Sequence, residues 1–208
     1  FLSAVLVHQF REENLPLNND ILFWHHPAER INTRTKFPGT LPMVKTIIDH
    51  LSRFIQEHPQ LKLRYITKSN VDGNEFYEEC KEKLNYSNVT FEAIYGNDSY
   101  KLVYQSRLIV NIWSTMGYES LGFDKKVLHV SYDHLADTLL MQDFIEDNLG
   151  SLHEKSYEAF RDRVLYLLNN NNEEIESFYQ ALKHKYNPTD ENPLKIIENI
   201  IVSTERDS

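Results

Sequence analysis

Ser114 and Thr115 stand side by side between the apolar run "RLIVNIW" and a stretch that carries Met116, Gly117 and Glu119. Two hydroxyls closing a buried strand, with a helix starting at once, have the chemistry of an oxyanion grip. A helix start presents unpaired N–H groups and about half a positive charge. The two hydroxyls and the amides of Met116 and Gly117 would hold a phosphate, and Gly117 would let the ligand approach the backbone closely. Glu119, one helical turn further in, would accept hydrogen bonds from a ribose diol. The plainer alternative is that the hydroxyls cap the helix and Glu119 favours its positive end. A capping box needs a carboxylate three residues after the cap, and those positions hold Gly117 and Tyr118. Spacing alone leaves phosphate binding and capping both open.

Other polar clusters carry less. His25 and His26 have the chemistry of a proton shuttle or of metal ligands. No Cys, Asp or Glu stands at a recognised ligand spacing from them, so a surface turn is the simpler reading and no metal is expected. In "SYDHLAD", Asp133 and His134 follow the apolar "KVLHV" and would line the same cleft, although loop polarity accounts for them equally well. There is no phosphate-binding loop with the Lys-Ser/Thr ending, no dinucleotide glycine pattern and no nucleophile elbow. No residue is assigned a catalytic role.

The elements that must position these residues follow from periodicity. Residues 2–10 form a short apolar run rich in β-branched side chains and read as a buried strand, and 21–24 as a second. Residues 41–57 carry apolar side chains at helical spacing, with Thr40 and Pro42 as a start signal. The alternation in "LKLRYIT" gives a strand over 61–67. Residues 75–84 read as a helix with Phe76, Cys80 and Leu84 on one face. "VTFEAI" is a strand and 100–104 a short helical piece; the strand, turn, helix and strand of 107–130 follow. Beyond Asp133 the pattern becomes three or four amphipathic helices over 137–204. Alternating strands and helices imply an α/β fold with a parallel sheet covered by helices on both faces. We expect a Rossmann-like domain over 1–136 and a helical C-terminal extension, 137–208, packed on it. Such sheets bind ligands beyond the carboxyl ends of their strands. The turns at 113–115 and 68–73 lie at such ends.

The chain has 208 residues, 41% hydrophobic and 25% charged, enough for one layered core. A formal charge of −9 argues against nucleic acid as the main partner. Cys80 is the lone cysteine, which rules out an intrachain disulfide and favours a reducing, cytoplasmic setting. No apolar run is long enough to span a membrane. The sequence begins at Phe1, without methionine, so an upstream domain absent from this chain is expected.

The segment "SRLIVNIWSTMGYESLGFDKKVLHV" resembles the carboxyl-terminal domain of GT-B glycosyltransferases, in particular bacterial surface-polysaccharide transferases. The shared pattern is a strand, Ser114-Thr115, a small residue at Gly117, Glu119, Ser120-Leu121, and Lys125-Lys126-Val127 leading into the next strand. Asp124 stands where that family usually has Gly. The resemblance implies half of a GT-B fold, with Ser114 and Thr115 on the nucleotide phosphate and Glu119 on the ribose. It also implies a nucleotide-sugar as donor substrate, no other cofactor, and a glycan or lipid-linked acceptor at the inner face of the membrane. Many such transferases carry a His-Pro pair at an earlier strand end. Here that position holds Thr67-Lys68-Ser69-Asn70, with Lys68 as the substitute phosphate contact, while His58-Pro59 reads as a helix stop. A partner-binding module without catalysis and a nucleotide-sugar epimerase of the same architecture are the alternative readings.

Overall fold

The structure, a computed structural model, describes residues 2–25, 40–67, 74–94, 97–112, 114–135 and 142–186. In chain order the elements are α1 (Leu2–Glu12), β1 (Asn19–Trp24), α2 (Thr40–Glu57), β2 (Leu63–Thr67), α3 (Glu75–Lys83), β3 (Val89–Ala93) and α4 (Asn97–Tyr104). Then come β4 (Ser106–Asn111), α5 (Thr115–Leu121), β5 (Lys126–Val130), β6 (Ser151–Leu152), α6 (Tyr157–Asn169) and α7 (Glu173–Tyr186). Among the described residues, two short 3-10 turns, Tyr132–His134 and Gln142–Phe144, lie between β5 and β6.

All strand pairs are parallel, in the order β3-β2-β1-β4-β5-β6. The central strands are buried on both faces, as a two-sided parallel sheet requires. Ile21, Leu22, Phe23, Leu108, Ile109, Val110, Val127 and Leu128 are fully buried. The edge strand β3 is only partly covered. Helices pack in two groups: α2 contacts α3 and α6, while α4 contacts α1 and α5, and α5 contacts α7. This is the expected Rossmann-like α/β sheet with helices around it. The chain order reverses between β1 and β4, which makes the carboxyl ends of those strands the topological switch point.

Two expectations are corrected. Residues 2–10 are helical, not a strand. A short apolar run does not distinguish the two by itself. The deciding feature is the four-residue spacing of Leu6 and Phe10, both buried, with Phe10 edge-on to Tyr104 and stacked near Phe123. Asn14, at φ 49, ends the run in the left-handed conformation that asparagine tolerates after a helix. The stretch after Asp133 is not purely helical either. Ser151 and Leu152 add β6 beside His129 and Val130, a strand too short for any periodicity to show. Two helices, α6 and α7, are described in this part, and the remaining expected helical stretch lies outside the described residues.

The turn from α5 into β5 explains Asp124. Its φ of 56 is the left-handed region, where glycine is the default. The carboxylate compensates by pairing with Arg11 of α1 and, at 2.7 Å, with the Lys183 ammonium of α7, which is almost fully buried. One side chain thus ties two helices to the sheet's amino edge. Asp124→Asn keeps a residue that accepts this backbone but removes the charge beside a buried ammonium. A loss of about 1–3 kcal/mol is expected, less than for a fully buried pair because Asp124 is partly exposed. Urea unfolding of the two proteins measures it.

Candidate functional site

The turn between β4 and α5 is built on Asn111, the last residue of β4 and fully buried. Its Oδ1 accepts from the Ser114 N–H at 3.2 Å. Its Nδ2 donates to the Ser114 carbonyl at 3.1 Å and to His129 Nδ1 at 3.1 Å. Ser114, at φ −78 and ψ 140, is the N-cap of α5, and its Oγ accepts from the Met116 N–H at 3.2 Å. Gly117 N–H in turn donates to the Ser114 carbonyl at 3.0 Å. The two hydroxyls therefore divide: Ser114 caps the helix, and Thr115 stands exposed at its first position. The amides of Met116 and Gly117, expected on a phosphate, are engaged inside the turn.

Gly117 has a packing reason that the sequence did not reveal. A Cβ there would lie 2.5 Å from Asn111 Nδ2 and 2.8 Å from His129 Cε1. The absence of a side chain is what lets α5 rest on the Asn111–His129 pair. Glu119 is half-buried, and its Oε2 accepts from the Tyr100 hydroxyl of α4. Burial, and then the hydrogen bond to Glu119, hold the Tyr100 phenol well above its ordinary range. The carboxylate is thereby fixed one turn inside the helix.

His129 of β5 is the second residue that sequence reasoning missed. Its ring stacks on Tyr118 at 4.7 Å and lies 4.3 Å from the Phe144 ring. Accepting from Asn111 places its proton on Nε2, which is buried and without a hydrogen-bond partner among the described residues. Burial pushes its pKa down to about 3. A histidine inside "KVLHV" and an asparagine inside "LIVNIW" are the available signals: polar residues in runs that are otherwise core.

The same carboxyl edge carries other predicted residues. His134 follows β5 with φ 60, next to Asp133 at φ 52, two consecutive non-glycine residues in the left-handed region. Its ring is stacked on His153 at 4.3 Å, and His153 faces the carbonyls of Ser131 and Phe144 with its two ring nitrogens. His25, at the end of β1, is buried with Nδ1 2.8 Å from the Tyr65 hydroxyl. Lys68 and His26 lie outside the described residues. His58 is at the opposite edge, where its N–H closes on Phe54 and α2 stops, as expected of that His-Pro pair. Among the described residues no group of three or more His, Cys, Asp or Glu could hold a metal ion. None of the described helices is long and apolar enough to cross a membrane.

The neutral His129 makes stability depend on pH. Unfolded, the imidazole binds a proton near pH 6.5, whereas folded it does so only near 3. The unfolded state therefore binds more protons in that window, and this contribution, complete above the unfolded value, is lost as pH falls. The slope should be about 1.4 kcal/mol per pH unit, added to that of the carboxylates. His129→Gln keeps an acceptor for Asn111 but cannot titrate, so its stability curve between pH 6 and 4 should be flatter by about one proton. Parallel curves would place the titration elsewhere.

No family model and no curated protein matches this chain. Solved structures do. UDP-GlcNAc 2-epimerase from Neisseria meningitidis bound to UDP-GlcNAc matches with a TM-score of 0.56 and 14% identity, over 95% of this chain and 48% of that one. The C-terminal domain of the glycosyl transferase group 1 family protein LpcC from Francisella tularensis matches at 0.54 and 14%, over 86% and 88%. The wall teichoic acid polymerase TagF matches at 0.55 and 14%, over 99% and 49%. The chain spans about half the length of the epimerase and of the polymerase, and nearly the whole of the isolated C-terminal domain. It therefore has the Rossmann-like fold of one half of a GT-B protein, as the resemblance implied.

Proposed function

We propose that this chain is the nucleotide-sugar-binding half of a GT-B glycosyltransferase that passes a sugar to a glycan or lipid-linked acceptor in surface-glycan assembly, at the inner, cytoplasmic face of a membrane. The observation that carries the reading is the Asn111-buttressed turn at the switch point of the sheet, with Thr115 exposed and Glu119 fixed one turn inside. That is where α/β sheets take their ligands. The likeness to LpcC and TagF supports transfer chemistry in particular.

In this reading Ser114 shapes the turn and Thr115 meets the phosphate, with the first amide of α5. Glu119, oriented by the Tyr100 hydroxyl, accepts from the ribose diol. His134, at the same edge, is a further candidate contact, and Lys68 and His26 are candidates from the sequence alone. An acceptor hydroxyl displaces the nucleotide at the anomeric carbon, and the negative charge that grows on the leaving phosphate is met by donors already in place. The general base is assigned to the facing domain of the full protein. The likeness to the 2-epimerase over 95% of the chain favours a second reading, in which the donor itself is changed and no acceptor takes part. Product analysis with and without acceptor separates the two.

Binding of UDP, GDP and CMP, and of the matching nucleosides, by calorimetry tests the donor site. Thr115→Val should weaken the preferred nucleotide by roughly 1–1.5 kcal/mol and leave its nucleoside unchanged. Glu119→Gln should weaken both by about 1.5–3 kcal/mol, because both carry the ribose. Ser114→Ala should instead cost about 0.5–2 kcal/mol of stability as a lost cap. An equal effect of Thr115→Val on nucleotide and nucleoside contradicts the phosphate contact, and no binding of any nucleotide contradicts the donor site.

A further inference from the structure

Two adjoining cavities, of about 190 and 210 Å3, open at the amino edge of the sheet, opposite the nucleotide turn. Both are lined by Lys125 and Lys126 at the start of β5. The cations around them differ in how they are used. Lys126 Nζ donates to the carbonyls of Leu167 and Asn170 and to Asn171 Oδ1, closing the end of α6. Arg107 of β4 holds Asp20 and the Leu168 carbonyl. Lys183 of α7 and Arg11 of α1 share Asp124. Lys125 is the exception. Among the described residues its ammonium forms no hydrogen bond or ion pair, and lies 4.9 Å from the centre of the Tyr104 ring.

We propose that Lys125 is a nucleophilic lysine and that these cavities form a modification site in which an acyl phosphate acylates its amine. The walls suit a short acyl group: Leu121, Ile175 and Tyr179 line one cavity, and Leu17 and Leu168 the other. In the step, the Nζ lone pair attacks the acyl carbon and a C–N bond forms. The C–O bond to phosphorus breaks, phosphate leaves with that electron pair, and the surplus proton on nitrogen passes to phosphate or water.

The environment favours the uncharged amine that this step needs. Burial lowers the Lys125 pKa to about 8, opposed by the neighbouring Asp124 carboxylate. The other charges facing the cavities are Lys126, Arg107, Lys183 and Glu176. Loss of the Lys125 charge leaves every hydrogen bond and ion pair named above intact, so the fold tolerates the amide. This inference is independent of the donor-site reading, because it concerns the opposite edge of the sheet.

Acetyl phosphate is the probe, with the initial acetylation rate of each lysine followed by peptide mass spectrometry. In the folded chain at pH 7.5, Lys125 should react on the order of 10-fold faster than the exposed Lys101 and Lys155, since burial in the cavity favours its uncharged amine. Its rate should rise up to about pH 8 and level off above it. The preference should vanish in denaturing urea. Lys125→Arg, which keeps the charge, should fold normally and leave the other rates unchanged. A Lys125 rate no greater than that of the exposed lysines overturns the proposal. So does a preference that survives unfolding, since sequence rather than the cavity would then create it.

Discussion

One buried side-chain amide holds the candidate site together. Asn111 ends β4 with no exposure to solvent, and a polar group in that place costs several kcal/mol unless its hydrogen bonds are made. They are made to Ser114 on both sides of its backbone and to His129 on the next strand. The consequence is geometric. The chain leaves the sheet at a fixed angle, Ser114 falls into the cap position, and α5 begins with Thr115 facing out. Gly117 completes the arrangement by leaving room for the amide and the imidazole beneath the helix. A ligand meeting this edge finds groups already ordered, so little conformational entropy remains to be lost on binding.

Much of the fold was legible because its physics is periodic. β1, β4 and β5 hold apolar runs buried on both faces, β2 shows a period-two alternation, and α2 shows a helical stripe over 18 residues. What failed was short or non-periodic. α1 begins with an apolar run whose helical nature rests on the burial of Leu6 and Phe10, decided by Tyr104 and Phe123 from distant parts of the chain. β6 is two residues long and exists because β5 offers an open edge. At the site, the hydroxyl pair and Glu119 were visible from type and spacing. The division of labour between Ser114 and Thr115 was not, because it is set by Asn111 and His129, which one-dimensional reading files as members of buried strands. The reason for Gly117 was hidden likewise: its nearest neighbours come from β4 and β5, and space beneath a helix leaves no local signature.

The two edges of the sheet are held by different means. At the carboxyl edge neutral hydrogen bonds between buried side chains and backbone do the holding, which keeps the turn insensitive to salt. At the amino edge the holding is ionic, through Asp124 to Arg11 and Lys183 and through Arg107 to Asp20. Asp124 in the place of the usual glycine accepts an unfavourable backbone conformation in exchange for these pairs. The helices α1 and α7, which flank the ends of the described chain, are thereby tied to the same corner of the domain.

The most direct test is the location of nucleotide binding in the folded chain, read from backbone amide shifts during a titration with UDP, GDP and CMP. The account requires saturable shifts from at least one nucleotide that centre on residues 114–119 and extend to the carboxyl ends of the neighbouring strands, with the Asn111 side-chain amide still protected from exchange. Shifts confined to the amino edge, or none with any of the three, would contradict it.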